Sequence, residues 1–249
     1  MSSYLDRIVK MGRRYVKQGT PMKYLTSRGV SVDQIDSLSI GYIPEDTWPP
    51  YIDVEKEGED AAHYWKQSGH GVKLKGKLIF PLTNALGQIK AFQVRTPNSK
   101  TKDYWKFYSL SADIDALFFG TNVAMEHIWE RSEVCLVEGI FDLPPVLRAY
   151  PNTLCMGTAT INPNQLTFLK RYVKRIKVMT DNDEQGRRFF SKFYKDYSSC
   201  FEQIVKVPYS GSDPSDSWSR LGEDKFKRQL SSEFLMNLST SLSGRTGIV

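Results

Sequence analysis

Apolar residues recur along this chain in two different rhythms, and the change between them falls near residue 131. In the first segment Leu5, Ile8, Val9, Gly12, Tyr15 and Val16 sit at helical spacing, while Lys10, Arg13, Arg14 and Lys17 share another face. Thr20 can cap and Pro21 suits a first helical position, so the spacing predicts a helix over 21–28 that Gly29 stops. Ser31 and Gln34 have the spacing of a capping box ahead of Ile35 and Leu38, after which 39–44 turns extended. Residues 45–71 are mixed, and the acidic stretch over 55–60 reads as a surface insertion. From Gly76 polar and apolar residues alternate. Strands over 77–82 and 88–95 around a turn at 83–87 predict a hairpin, followed by a polar loop over 96–103 and the aromatic-basic run Tyr104-Trp105-Lys106-Phe107-Tyr108.

Beyond residue 131 short β-branched runs alternate with helical stretches. Strands are predicted over 134–137, 153–156, 175–179 and 201–207, with helices over 142–150, 163–173 and 185–197 between them. That order argues for a parallel, doubly wound sheet, in which ligands bind outside the carboxyl ends of the strands. Residues 214–238 read as helical in parts, and 239–249 have the composition of a frayed tail. The fold class is therefore α/β. A mixed α+β basic subdomain over 1–130 precedes the parallel sheet over 131–212, and a helical segment and tail follow over 213–249.

Three acidic clusters stand where those strands end: Glu138-Gly139-Ile140-Phe141-Asp142, Asp181-Asn182-Asp183 and Asp213-Pro214-Ser215-Asp216. Crowded carboxylates repel one another unless protons or cations neutralise them. Hard divalent cations such as Mg²⁺ prefer oxygen ligands and bring substrate phosphates with them. The pattern points to metal-dependent phosphoryl chemistry. Gly186 opens the helix after the second cluster, with Arg187 and Arg188 close enough to meet phosphate.

Composition narrows the alternatives. The 249 residues carry a net charge of +6, with 40% hydrophobic and 25% charged residues, the balance of a soluble globular protein. A basic balance suits a polyanionic partner, although a stripe such as Lys10, Arg13, Arg14 and Lys17 is more often only a solvated face. No apolar run approaches membrane-spanning length, and the start lacks the apolar block of a secretory signal, so no membrane is expected. Cys135 and Cys155 fall in strand-like apolar runs and read as buried thiols. Without a Cys-x-x-Cys pair, and with His63, His70 and His127 at no zinc-ligand spacing, the chain carries no zinc module of its own.

The clusters, in this order, resemble the Toprim domain of primases, topoisomerases and some nucleases. Glu138-Gly139 at a strand end, then Asp181-Asn182-Asp183 with Gly186-Arg187 after a short gap, follow that family's pattern. Glu-Gly-x-x-Asp over 138–142 together with Gly211-Ser212-Asp213-Pro214 is similar to the bacterial-type (DnaG-like) primases. The stretch 24–31 followed by Ile40-Gly41-Tyr42-Ile43-Pro44 is similar to the start of their catalytic core, and 79–95 to its hairpin ending in a basic residue, Arg95. Gly157-Thr158-Ala159 resembles the small-residue turn inside its Toprim domain. Two departures stand out. The family's third motif reads Asp-Pro-Asp, whereas Ser215 intervenes here, which favours Asp213 over Asp216 as a ligand. Asp115 and Ala116 occupy the neighbourhood of a family lysine.

The resemblance implies synthesis of a short RNA primer on single-stranded DNA from rNTPs. Glu138, Asp181 and Asp183 would be the catalytic residues. Those three with Asp213 would hold two or more Mg²⁺ or Mn²⁺ ions, with Asp142 and Asp216 behind them. Arg95, Lys102, Lys106 and Arg187 would contact nucleic acid or nucleotide, and Tyr104, Trp105, Phe107 and Tyr108 offer stacking surfaces, although such a run is more often core packing. A stand-alone, phage-like version of the core is expected, lacking the zinc-ribbon and helicase regions. Separate zinc-ribbon and replicative helicase partners would then act with it, in the cytoplasm of a bacterium or infected host cell. Two alternatives stay open: a Toprim metal-dependent nuclease with water as nucleophile, and a non-catalytic replisome adaptor.

Overall fold

The structure is a computed structural model that describes residues 4–47, 74–97, 118–157 and 160–230, and the backbone of 104–108. The acidic stretch over 55–60, Lys102, Asp115 and Ala116, Thr158 and Ala159, and the tail over 239–249 lie outside the described residues. The chain divides into two compact units, one of residues Met1–Met125 with Asn162–Phe168, the other of Glu126–Ile161 with Leu169–Val249.

In the first unit, helix α1 (Tyr4–Gly12) buries Leu5, Ile8, Val9 and Gly12, the face that the helical spacing selects. The predicted continuation through Val16 gives way to turns after Gly12. There the helix crosses strand β1 (Gly41–Ile43) so closely that a Cβ on Gly12 would stand 2.9 Å from the Tyr42 amide nitrogen. The basic stripe is broken at the same point: Lys17 and Arg13 reach Asp36 at 2.6 and 3.7 Å, and the Lys17 hydrogen bond holds that carboxyl below its usual range. Helix α2 (Gly19–Ser27) begins earlier than predicted, with Gln18 rather than Thr20 at the cap position and no side-chain cap bond. Pro21 consequently falls within the first turn, where its missing N–H has no intrahelical acceptor to lose. Helix α3 (Val32–Ser37) has the predicted capping box, Gln34 N donating to Ser31 Oγ and Ser31 N to Gln34 Oε1, each at 3.2 Å.

The predicted hairpin forms from strands β2 (Lys77–Thr83) and β3 (Ile89–Arg95), paired antiparallel with Phe80 opposite Gln93. Asn84 closes the turn by accepting from Leu86 N and Gln88 N at 3.1 and 3.0 Å, and Gly87 supplies the left-handed φ of +75°. The aromatic-basic run is a strand, β4 (Tyr104–Tyr108), antiparallel to β3. On the other edge of β2 lie β1, against residues 77–79, and the short strand β5 (Phe118–Phe119), against 82–83. Ile79, Phe92 and Val94 meet the buried face of α1 in one core.

Helix α4 (Thr121–Arg131) leads into the second unit, which alternates as the sequence predicts. The order is strand β6 (Glu133–Val137), helix α5 (Leu143–Leu147), strand β7 (Thr153–Cys155), helix α6 (Pro163–Tyr172, whose residues 163–168 belong to the first unit), strand β8 (Arg175–Met179), helix α7 (Glu184–Tyr197) and strand β9 (Gln203–Lys206). These strands are parallel in the order β7-β6-β8-β9, so the chain leaves β6 to one side and returns on the other. Ligand crevices in such sheets open above that switch point. Helix α5 is shorter than the predicted 142–150, with Pro144 and Pro145 in its only full turn. Helix α8 (Pro214–Leu221) and a helix over 223–230 follow the sheet. Cys135 and Cys155 are buried, and burial pushes the Cys135 thiol up to about 12. None of the described helices is long and apolar enough to cross a membrane.

One buried ion pair anchors the opposite, amino end of the parallel strands. Lys177 on β8 donates to Glu133 on β6 at 2.8 Å and lies over the Tyr150 ring, while Arg175 adds a contact to Glu133 at 3.4 Å. Burial pushes the Glu133 carboxyl up, but the hydrogen bonds and charges of Lys177 and Arg175 outweigh it and leave the carboxyl below its usual range. A depressed folded-state pKa contributes stability above the ordinary Glu range, and that stability is lost as pH falls through the range. Lys177→Met should therefore destabilise the protein by about 3 kcal/mol at neutral pH by stranding the Glu133 charge, and by less near pH 4. Urea unfolding at the two pH values measures both.

Candidate active site

Each acidic cluster begins where a parallel strand stops. Glu138 follows β6, Asp181 follows β8 after the buried Thr180, and Asp213 caps α8 beyond β9. The loops are held by backbone amides. Asp183 accepts from Gly186 N at 2.7 Å, which caps α7, and Asp213 accepts from Asp216 N at 2.6 Å, which caps α8. Each capping carboxylate commits one oxygen to its amide.

Asp142 is buried and does not cap α5. Its two oxygens accept from Gly139 N at 3.0 Å and from Ser215 N at 3.1 Å, 73 residues away, so one carboxylate binds the first acidic loop to the third. Asn182, between the two aspartates of the second cluster, binds that loop to the third as well. Its side-chain amide donates to Tyr209 O and Gly211 O at 3.0 and 2.7 Å, and its backbone N–H to Ser212 O at 2.8 Å. The Tyr209 hydroxyl donates to Thr180 O at 2.8 Å. Tyr209, Asn182 and Thr180 carry no charge, so a search for ligand chemistry passes over them. Asn182 lies inside the second cluster as its uncharged middle residue, and Thr180 directly before it.

The acids sense one another. Burial pushes the Glu138 carboxyl up to about 7, and Asp181 and Asp183 add to it. Asp181 rises to about 6 through burial and the charges of Asp213 and Asp183. Asp142 rises to about 8, because burial, Asp213 and Asp181 outweigh its two amide donors. The Tyr209 hydroxyl is pushed up by burial and by the charges of Asp181, Asp142, Asp213 and Glu138. Glu138 Oε2 is buried with no hydrogen-bond partner among the described residues. Among the described residues, no three His, Cys, Asp or Glu side chains stand at the spacing of a closed metal cage. The carboxylates are near enough to raise one another, as crowded like charges do.

The remaining sequence candidates are placed differently. Asp216 faces Arg220, with which it forms an ion pair, and accepts from Ser212 N and Oγ at 3.0 and 3.1 Å. These contacts hold its carboxyl down to about 2, the Arg220 bond foremost. Arg187 is exposed and donates to Asn182 O at 3.3 Å, and Arg188 pairs with Glu184 at 2.5 Å. Arg95 ends β3 in register with Tyr104, and Lys106 lies on β4 in register with Gln93. Those two belong to the first unit, the carboxylates to the second.

Residues 135–218, which hold the parallel sheet with its Glu-Gly and Asp-x-Asp loops, match the Toprim-like family. The longer likeness is to DNA primases. The chain is 26% identical over 231 residues to the DNA primase of Halalkalibacterium halodurans, covering 85% of this chain and 37% of that one. It is 25% identical over 248 residues to the DNA primase of Thermotoga maritima, covering 91% of this chain and 43% of that one. It thus spans well under half the length of either relative. Among solved structures it resembles the zinc-binding and RNA polymerase domains of the Aquifex aeolicus primase, with a TM-score of 0.71 and 21% identity over 92% of this chain and 60% of that one. A DnaG primase catalytic domain bound to ssDNA matches with a TM-score of 0.70 and 17% identity, over 96% of this chain and 82% of that one. The fold of the chain is thus like that of DnaG primase catalytic cores, with the Toprim-like match lying inside it.

The second acidic loop depends on a missing side chain. A Cβ on Gly186 would stand 2.1 Å from the Asp181 carbonyl oxygen, a backbone atom that cannot move without shifting Asp181 itself. Gly186→Ala is expected to cost about 3 kcal/mol in urea unfolding, a full overpacking penalty on a helix residue where alanine is otherwise favoured.

Proposed function

We propose that this chain acts as a primase catalytic core, joining ribonucleotides into a short RNA primer on a single-stranded DNA template. The observation that carries the reading is the gathering of Glu138, Asp181, Asp183 and Asp213 at the carboxyl edge of the parallel sheet, with raised carboxyls at Glu138 and Asp181. The likeness to DNA primases and to a catalytic domain bound to ssDNA supports the same reading.

The donor set fits a hard divalent cation: it is all oxygen, it is anionic, and Glu138 Oε2 has nothing else to bind. Glu138, Asp181, Asp183 and Asp213 would hold two or more Mg²⁺ or Mn²⁺ ions. Such ions, when bound, stabilise charge on the attacking and leaving oxygens of the α-phosphate. In the transfer the 3′-oxygen bonds to the α-phosphorus, the bond to the bridging oxygen breaks, and pyrophosphate leaves. Glu138 ligates an ion or accepts the hydroxyl proton. Asp183 and Asp213 keep their orientation through the cap bonds, and Asp142 holds the first and third loops in place from behind. Asp216 acts behind Asp213 through the amide it donates. Arg95, Lys102 and Lys106 follow template or nucleotide phosphates, and Arg187 meets the triphosphate. A zinc-ribbon protein and a replicative helicase are the proposed partners, in the cytoplasm. The similar Aquifex aeolicus structure pairs a zinc-binding domain with its RNA polymerase domain.

The test is synthesis of labelled oligoribonucleotides from rNTPs on single-stranded DNA with Mn²⁺. Asp181→Asn and Glu138→Gln should each lower the yield at least about 100-fold. Mn²⁺ should raise the unfolding midpoint of the wild type and leave that of Asp181→Asn nearly unmoved. Shortening of the template without any RNA product would replace this reading with a nuclease. At the third loop, Asp213→Asn should cost more activity than Asp216→Asn, since Asp216 already spends its charge on Arg220. Initial rates over a Mn²⁺ titration measure the contrast.

A further inference from the structure

Beside α7 lies a cavity of about 320 Å³, lined by Thr160 and Ile161 and, along the helix, by Gln185, Arg188, Phe189, Lys192, Phe193, Asp196 and Tyr197. Its volume lies within the range of ligand pockets. The apolar part of its wall is aromatic. Phe189 and Phe193 are stacked, with centroids 5.6 Å apart and planes 12° from parallel, and Tyr197 meets the edge of Phe193 at 5.3 Å. Phe193 is buried and fixes the row, while Phe189 is half-buried, with part of its surface open. The charges differ in their commitments. Arg188 is paired with Glu184, whereas Lys192 is exposed and makes no ion pair among the described residues.

Flat rings beside an uncommitted ammonium match one chemistry well: an unpaired base that stacks on an aromatic face while its phosphate meets the cation. We propose that this cavity binds single-stranded DNA, as a platform for template bases next to the acidic loops. The inference rests on the primase reading and adds a place on the protein for its template. Gln185, at one end, is two residues from Asp183, and the row extends about 18 Å along the helix to Tyr197. A stretch that long takes several nucleotides. When synthesis begins, the RNA is only a nucleotide or two, so of the two strands only the template reaches along it.

The test is fluorescence anisotropy of the full chain with a labelled oligothymidylate about twelve nucleotides long, without rNTPs or metal. Phe189→Leu keeps the apolar bulk and removes the ring, and should weaken binding at least about fivefold. Lys192→Ala should weaken it too, and should reduce the slope of log affinity against log salt by about 0.7. Lys225→Ala, an exposed lysine on the helix over 223–230, should leave both unchanged. Circular dichroism melts establish that each variant is folded. Wild-type binding that survives both Phe189→Leu and Lys192→Ala overturns the inference and leaves the primase reading standing. Weakened binding of oligouridylate with oligothymidylate unaffected also overturns it, in favour of the RNA product. A wild type that binds neither strand overturns the primase reading, and the inference with it.

Discussion

Everything at the carboxyl edge depends on carboxylates being held together against their own repulsion. The forces that hold them are backbone amides. Gly186 N and Asp216 N fix Asp183 and Asp213, and Gly139 N and Ser215 N fix Asp142. Hydrogen bonds to ionised groups are stronger than neutral ones, and amide donors at fixed positions pay little reorganisation. The strain of the assembly is visible in the raised carboxyls of Glu138, Asp181 and Asp142. A site so arranged has a standing affinity for positive charge.

The two ends of the parallel sheet solve opposite problems. At the amino end Glu133 meets Lys177 and Arg175, opposite charges that satisfy one another inside the protein. At the carboxyl end like charges face each other and stay unsatisfied. Both arrangements bridge β6 and β8, the neighbouring strands at the switch point. The inner pair can thus secure the strands whose far ends bear the repelling acids.

The parallel strands, the hairpin and the capping box were legible in the sequence because each rests on local rules: periodicity, turn residues and cap spacing. Four of the acids could be placed at strand ends for the same reason. What the sequence did not disclose was tertiary. The early stop of α1 comes from the close crossing of Gly12 on Gly41 and Tyr42, a contact between segments some thirty residues apart. The shifted start of α2 shows a cap signal overridden at Thr20, since the chain enters the helix two residues early, at Gly19. The sequence analysis sets Asp142 behind the other acids, but its bond to the third loop was hidden because Ser215 lies 73 residues away, and the roles of Asn182 and Tyr209 were hidden because structural hydrogen bonds leave no motif. Asp216 has the residue type of a ligand, and only Arg220, one helical turn away, shows that its charge is spent.

The extra residue in the third acidic loop sits on one of these bonds. An added residue brings an added backbone N–H, and a buried one without an acceptor would be costly. The amide of Ser215 finds its acceptor in Asp142, on a loop far away in the chain. One bond thus couples the third loop to the first: without Asp142 the buried Ser215 amide would have no acceptor, and without that amide a buried Asp142 oxygen would have no donor.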